Sequence, residues 1–201
     1  GETEYNRKGV VQGSGIDADL NELGQKQAAA FFAHYQDLPI DKIYTSVLRR
    51  THQSVKGFIE KGLPWEQYEG LNEISWGNKE GKSPNTEDDL YYKNLTKTWR
   101  EGHVHVQSEE GESPVEVLER QKPVIDLILS RPEENTILVA MHGRAMRVLL
   151  THLFNAPLHH MDNYAHQNLC LYHLQYDYTA QEFKLVKGNC VIHLDDLPES
   201  M

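Results

Sequence analysis

His142 and Gly143 follow Ile137-Leu138-Val139-Ala140-Met141, an apolar run of strand length bounded by the turn-prone Glu134-Asn135-Thr136. From Arg144 onward the apolar residues recur at helical spacing, so the segment reads strand, tight turn, helix. In an α/β sheet that arrangement puts the imidazole of His142 beside the free backbone N–H groups of a helix start, where anions are favoured. The competing reading is a histidine packed beside a strand-ending glycine. Three more segments carry groups of matching chemistry. Thr45-Ser46 precedes Arg49-Arg50, Leu71-Asn72 precedes Glu73, and Asn6 and Gln12-Gly13 lie near the start. Glu73 stands next to Ile74 and Trp76, whose bulk offers partial desolvation of its carboxyl; a solvated loop glutamate is the alternative.

Positioning such a set requires a framework, and the chain alternates strand and helix patterns through most of its length. Residues 1 to 19 show neither period and read as a long loop, a length that usually signals function. From Asn21, Leu23, Ala28, Phe31 and Tyr35 keep near one helical face until Pro39. Asp41 to Thr45 is a short strand, and Ser46 is placed to cap a helix running through Val55 and Ile59 to Gly62. A short strand is expected near Tyr68, then a loop through Gly77. Thr86 to Glu101 predicts a helix with Leu90, Leu95 and Trp99 partly buried, followed by a polar, irregular stretch from His103 to Glu112 suited to a lid. Ser113-Pro114-Val115-Glu116 combines a Ser cap, Pro in the first turn and Glu to close a capping box. That helix should reach about Ser130, kinked or broken at Pro123. Leu169 to Tyr176 and Glu182 to Val186 predict a hairpin around Asp177-Tyr178-Thr179-Ala180. The expected fold is an α/β three-layer sandwich, with a mainly parallel central sheet and an antiparallel hairpin near one edge.

The chain has 201 residues, enough for one domain with a sizeable core and crowded for two. Its 20 Lys and Arg against 30 Asp and Glu give a formal charge of −10, which argues against nucleic acid or anionic membrane as a partner. Any anionic ligand must therefore be held by a local concentration of donors. No apolar run approaches the roughly 20 residues that span a bilayer. Two cysteines, Cys170 and Cys190, make no disulfide framework, and the cytoplasm is the default location. His103, His105, His159-His160, His166 and His173 match no metal-ligand spacing, so no metal site is expected.

Six motifs in order resemble the histidine phosphatase superfamily, in its phosphoglycerate-mutase-like branch. They are Gly1-Glu2-Thr3-Glu4-Tyr5-Asn6, Leu20 to Ala28 with Gly24 and Gln27, Thr45-Ser46-Val47-Leu48-Arg49-Arg50, Leu71 to Gly81 with Glu73 and Glu80, Gly111-Glu112-Ser113, and His142-Gly143. The resemblance spans the whole chain as a single domain, 1 to 201. In that family the first motif is preceded by Arg-His at the end of an opening strand. The expectation is therefore that the natural chain extends before Gly1 with a short apolar strand, whose His is the nucleophile.

The family implies phosphoryl transfer in two steps through a phosphohistidine. Its roles fall on Arg50 and His142 as groups that bind the phosphoryl oxygens, on Asn6, Gln12, Gly13 and Gly143 around the substrate, and on Glu73 as proton donor and then base. The residue types suit such chemistry, which asks for neutralised equatorial oxygens and in-line positioning. Arg50 and His142 would supply charge that metal ions supply elsewhere, so neither metal nor cofactor is expected. A phosphatase for small phosphorylated metabolites is favoured over a mutase. The family's mutases carry Glu-Arg-His-Tyr where this chain has Glu73-Ile74-Ser75-Trp76, and a paired Arg that is not found between Gly81 and Glu112. A non-catalytic phosphate-binding domain is the third reading. Substrate identity and oligomeric state are encoded by no motif.

Overall fold

The computed structural model describes residues 1–82 and 85–197. Three parallel strands form its central sheet in the order β2-β1-β3: β1 spans Lys42–Thr45, β2 Trp65–Gln67 and β3 Ile137–Ala140. Alternation along the strands divides two cores between the two faces of the sheet. Tyr44, Ile137 and Val139 pack on Val124, Ile125 and Ile128 of α6 (Pro114–Leu129) and Leu149 of α7 (Gly143–Leu153). Ile43, Leu138 and Ala140 pack on the opposite side against Phe31, Val55 and Phe58. These belong to α2 (Glu22–Tyr35) and to the junction and body of α3 (Arg49–Ser54) and α4 (Lys56–Glu60). A third core, centred on Trp99, Trp76, Ile74 and Val148, joins α5 (Thr86–Arg100) to α6 and α7. Among the described residues, strands β4 (Leu171–Asp177) and β5 (Glu182–Cys190) pair with each other alone, as an antiparallel hairpin. Among the described residues β3 is paired on one side alone, and all four of its residues are half-buried, whereas Ile43, Tyr44 and Thr45 of β1 are buried. No helix of the described residues is long and apolar enough to cross a membrane.

Where expectation rested on a few adjacent residues, the elements form as read. The capping box at Ser113 and Glu116 is present, with Pro114 opening α6. Pro123 does not break that helix; Gln121 and Val124 beside it are buried and keep it seated. Other expectations are corrected by packing. The first 19 residues contain a one-turn helix, α1 (Glu4–Arg7), with Thr3 and Asn6 forming its capping box, and Thr3 bridges to Leu20. The buried face of α2 is Gly24, Gln27 and Phe31, because the opening residues press on it: a Cβ on Gly24 would stand 2.1 Å from the Glu2 carbonyl oxygen. The helix after β1 has Leu48 at its cap and divides at Val55, a turn that lets both Val55 and Phe58 reach the core. Leu90 is 56% exposed, on the outer face of α5.

Candidate active site

Thr45 and Ala140 lie opposite each other at the carboxyl ends of β1 and β3, so the residues that follow them emerge side by side. Ser46 continues this pairing through its N–H to the Ala140 carbonyl at 3.2 Å. Helices α3 and α7 both begin at that edge, and their first-turn N–H groups are taken by carboxylates, Arg49 N–H by Asp17 and those of Arg144 and Ala145 by Glu73. Arg50, the second residue of α3, is buried there, and its Nε–H donates to Nδ1 of His142 at 3.2 Å. Arg49 turns outward, where its N–H groups meet Asp17 and Asp19.

Arg50 determines the tautomer of His142. An arginine Nε always donates, so Nδ1 accepts and the proton of the neutral ring sits on Nε2, 2.8 Å from Ser46 Oγ. Burial, with Arg50 and Arg120 nearby, holds this imidazole far below the usual histidine range. The Arg50 fork is also braced, by the Ile16 carbonyl at 2.6 Å on Nη1 and the Gly13 carbonyl at 3.1 Å on Nη2. Each terminal nitrogen carries two hydrogens, so one on each is left unbonded among the described residues. Burial opposes the Arg50 charge, and Glu73, Asp17 and Glu80 favour it.

Glu73 arrives on the loop after β2 and the 3-10 turn Glu69–Leu71, and it is buried. Its Oε1 accepts N–H bonds from Ala145 at 2.8 Å and from Ile74 at 2.9 Å, and its Oε2 accepts from Arg144 at 3.1 Å. The carboxyl thus sits over the first turn of α7, one residue along from His142 and Gly143. A side chain at Gly143 would meet the His166 ring at 2.9 Å. One at Gly13 would meet the Glu80 carboxyl at 2.2 Å and the Ile74 carbonyl at 2.5 Å, so close approach demands glycine there.

Asn6 and Gln12 form a group of their own around Thr3. Asn6 Oδ1 accepts the Thr3 N–H at 3.0 Å, and Thr3 Oγ1 donates to Gln12 Oε1 at 2.6 Å. The Gln12 amide nitrogen is buried and has no partner among the described residues. The fold therefore brings Arg50, His142 and Glu73 to one edge. It ties Gln12 to them through the adjoining Gly13 carbonyl, and it engages Asn6 in the cap of α1.

Ser46 is expected from sequence only as a helix cap and Glu80 carries no expected role, although both stand inside the family-like motifs. Ser46 Oγ does accept the Leu48 N–H at 3.1 Å, and its bond to His142 spans 96 positions. Glu80 accepts the Trp76 N–H at 2.9 Å, and burial pushes its carboxyl up despite bonds from Trp76, Gly15 and Gly13. Arg144 is expected only as a helix residue. It is buried, bonds Asp162 and Tyr92, and lies over the Trp99 ring.

Arginine, imidazole and carboxylate thus meet at the carboxyl edge of a parallel sheet, the edge where α/β proteins place their ligand sites. The chain belongs to the histidine phosphatase superfamily (branch 1), whose family model matches residues 1–189. It is similar to bovine fructose-2,6-bisphosphatase TIGAR, 44% identical over 61 residues that cover 30% of this chain and 23% of that protein. It is also similar to rat 6-phosphofructo-2-kinase/fructose-2,6-bisphosphatase 3, 31% identical over 80% of this chain and 28% of that protein. The chain thus spans about a quarter of the length of these two relatives. The probable phosphoglycerate mutase GpmB of Erwinia tasmaniensis is 27% identical, over 98% of this chain and 92% of that protein. Among solved structures, mycobacterial glucosyl-3-phosphoglycerate phosphatase in complex with VO3 superposes with a TM-score of 0.83 at 26% identity. That match covers 94% of this chain and 95% of that one.

Proposed function

We propose that the protein is a phosphoric monoester hydrolase that acts on small phosphorylated metabolites through a phosphohistidine, without a metal. The observation that carries this reading is the buried contact between Arg50 and His142, with a free hydrogen left on each terminal nitrogen of the guanidinium. A phosphoryl dianion accepts such a planar pair in bidentate fashion, and in a water-poor setting the neutralisation counts for more. The dianion also competes for the Arg50 Nε–H, which releases His142 Nδ1 to take a proton and become a second donor. Glu73, beside both groups, protonates the departing alkoxide and then takes a proton from the attacking water. Gln12, with its unpartnered amide N–H, is a further donor at the rim. Gly13 and Gly143 keep the walls close, and Asn6 holds the opening turn in shape.

The nucleophile in this reading is a histidine other than His142, because both ring nitrogens of His142 are spoken for: Nε2 by Ser46 Oγ, and Nδ1 by Arg50 and then, once the Nε–H turns to the dianion, by the proton that makes it a donor. Glu73-Ile74-Ser75-Trp76, in place of the Glu-Arg-His-Tyr of the family's mutases, favours hydrolysis over the mutase reading suggested by GpmB.

The test is to quench full-length protein during turnover of a panel of sugar phosphates, phosphoglycerates, nucleotides and a phosphopeptide. Expected are phosphate release from small esters and protein-bound phosphate that is labile in acid and persists in base. Phosphate found on His142, or release abolished by chelator and restored by a divalent ion, would overturn the assignment.

A further inference from the structure

Glu73 lies in a stretch without regular structure, between the 3-10 turns Glu69–Leu71 and Gly77–Lys79. A proton donor must hold its oxygens within a fraction of an ångström of the productive position, which loops seldom manage alone. Two side chains whose hydrogen bonds among the described residues reach neither Arg50 nor His142 supply the missing rigidity. Arg120, in the middle of α6, spreads its guanidinium under the loop. Its Nη1 donates to the carbonyls of Gly70 at 2.8 Å and Asn72 at 3.0 Å, and its Nη2 donates to the carbonyl of Glu73 itself at 3.0 Å. The other side of the same fork is met by Glu112, with Nε to Oε1 at 2.8 Å and Nη2 to Oε2 at 3.0 Å.

Glu112 then grips the chain just beyond Glu73. Its Oε2 accepts the Ser75 N–H at 2.8 Å, and its own N–H donates to the Ser75 carbonyl at 2.9 Å. The backbone is thus held on both flanks of Glu73 and at Glu73, by one ion pair from two other segments. Gly70 and Gly111 permit this closeness: a Cβ on either would stand 2.4 Å from a backbone oxygen, of Arg120 and of Ser75 respectively. Ordinary surface ion pairs contribute little, but this pair is half-buried and its donors go mostly to main-chain carbonyls.

We propose that Glu112 and Arg120 are a positioning pair for Glu73, setting the height of its carboxyl over the first turn of α7. The proposal rests on Glu73 being the proton donor, as argued above, and it predicts a defect confined to substrates that need that proton. In the full-length protein, Arg120→Lys keeps the charge and loses the planar fork. Its kcat on an alkyl phosphate such as glycerol phosphate falls on the order of a hundredfold. Hydrolysis of p-nitrophenyl phosphate changes by less than about threefold, since nitrophenolate departs unprotonated, and KM for both esters is little altered. Glu112→Gln retains an acceptor for the Ser75 N–H and loses less. Combined with Glu73→Gln, Arg120→Lys causes no further loss on the alkyl ester, because the group it positions is gone.

Equal losses on the two esters, or an additional loss in the double variant, would overturn the proposal and leave a clamp that only stabilises the fold. If Arg120→Lys does not fold, Glu112→Gln carries the same comparison. Failure of the proton-donor reading is distinguishable: Glu73→Gln would then hydrolyse the alkyl ester as the unaltered protein does, which overturns both.

Discussion

The carboxyl edge of the central sheet and the α5 side of the molecule are built on opposite principles. At the edge, Arg50, His142 and Glu73 are buried, and nearly every polar atom they offer is bonded to backbone or to another buried side chain. Across from it, α5 is anchored from beneath by Trp99, whose Nε1–H bonds the Val106 carbonyl at 2.7 Å, and it leaves Leu90 exposed. Its polar contacts lie near the surface: Lys79 with Asp88 at 3.0 Å, Tyr91 Oη with the Glu109 N–H at 2.9 Å, and Arg100 with Asp162 at 3.1 Å. Gly9, Val11, Trp76, Lys79, Tyr91 and Tyr92 line a cleft of about 220 Å3 on that side. Under the proposed function the contrast separates a pre-organised centre for chemistry common to many esters from an α5 cover expected to tolerate changes in its outer side chains.

That contrast is most directly broken at Arg50. Arg50→Ala should lower kcat/KM for every phosphate ester by on the order of a thousandfold, and Arg50→Lys should recover little, because a point charge cannot replace the fork. Steady-state kinetics on three unrelated esters would check this; a loss that depended strongly on the ester would move Arg50 from the common centre to the specificity-setting side. Glu73→Gln should cost about a hundredfold on alkyl phosphates and far less on p-nitrophenyl phosphate.

The buried imidazole makes a prediction in pH. His142 has a folded-state pKa well below its unfolded value near 6.5, so the unfolded chain binds its proton first as pH falls. Its contribution to stability is complete above that value and is lost progressively below it, with a limiting slope of about 1.4 kcal/mol per pH unit. Glu80, whose carboxyl is pushed up by burial, has the opposite sign. The difference between the unaltered protein and His142→Asn therefore isolates the imidazole. Urea midpoints measured from pH 7 to pH 5 should fall less steeply for the variant; parallel curves would contradict the buried neutral ring. The smallest effect is expected on the cover. Tyr91→Ala should leave the melting temperature within a few degrees and change the ratio of KM values between esters by about tenfold or less, with kcat on p-nitrophenyl phosphate unchanged.

The amino-acid sequence alone determined whatever depends on residues within a turn or two of one another. Ser113, Pro114 and Glu116 announce the start of α6 because a capping box closes over four positions. The apolar run before His142 announces β3, and Asp177 announces the hairpin turn, where its carboxylate accepts the N–H groups of Thr179 and Ala180. Candidate site residues were legible as types inside ordered motifs. Their partnerships were not, since Ser46 meets His142, and Arg120 reaches under Glu73, only after the sheet has aligned segments dozens of residues apart. Tertiary packing likewise decided which face of α2 is buried, because Glu2 selects Gly24 and Gln27 over Leu23, and where the helix after β1 divides, because Val55 and Phe58 share one core. Local spacing carries hydrogen bonds that close within a few residues, whereas burial and the charge state of a group such as His142 belong to neighbours that folding alone assembles.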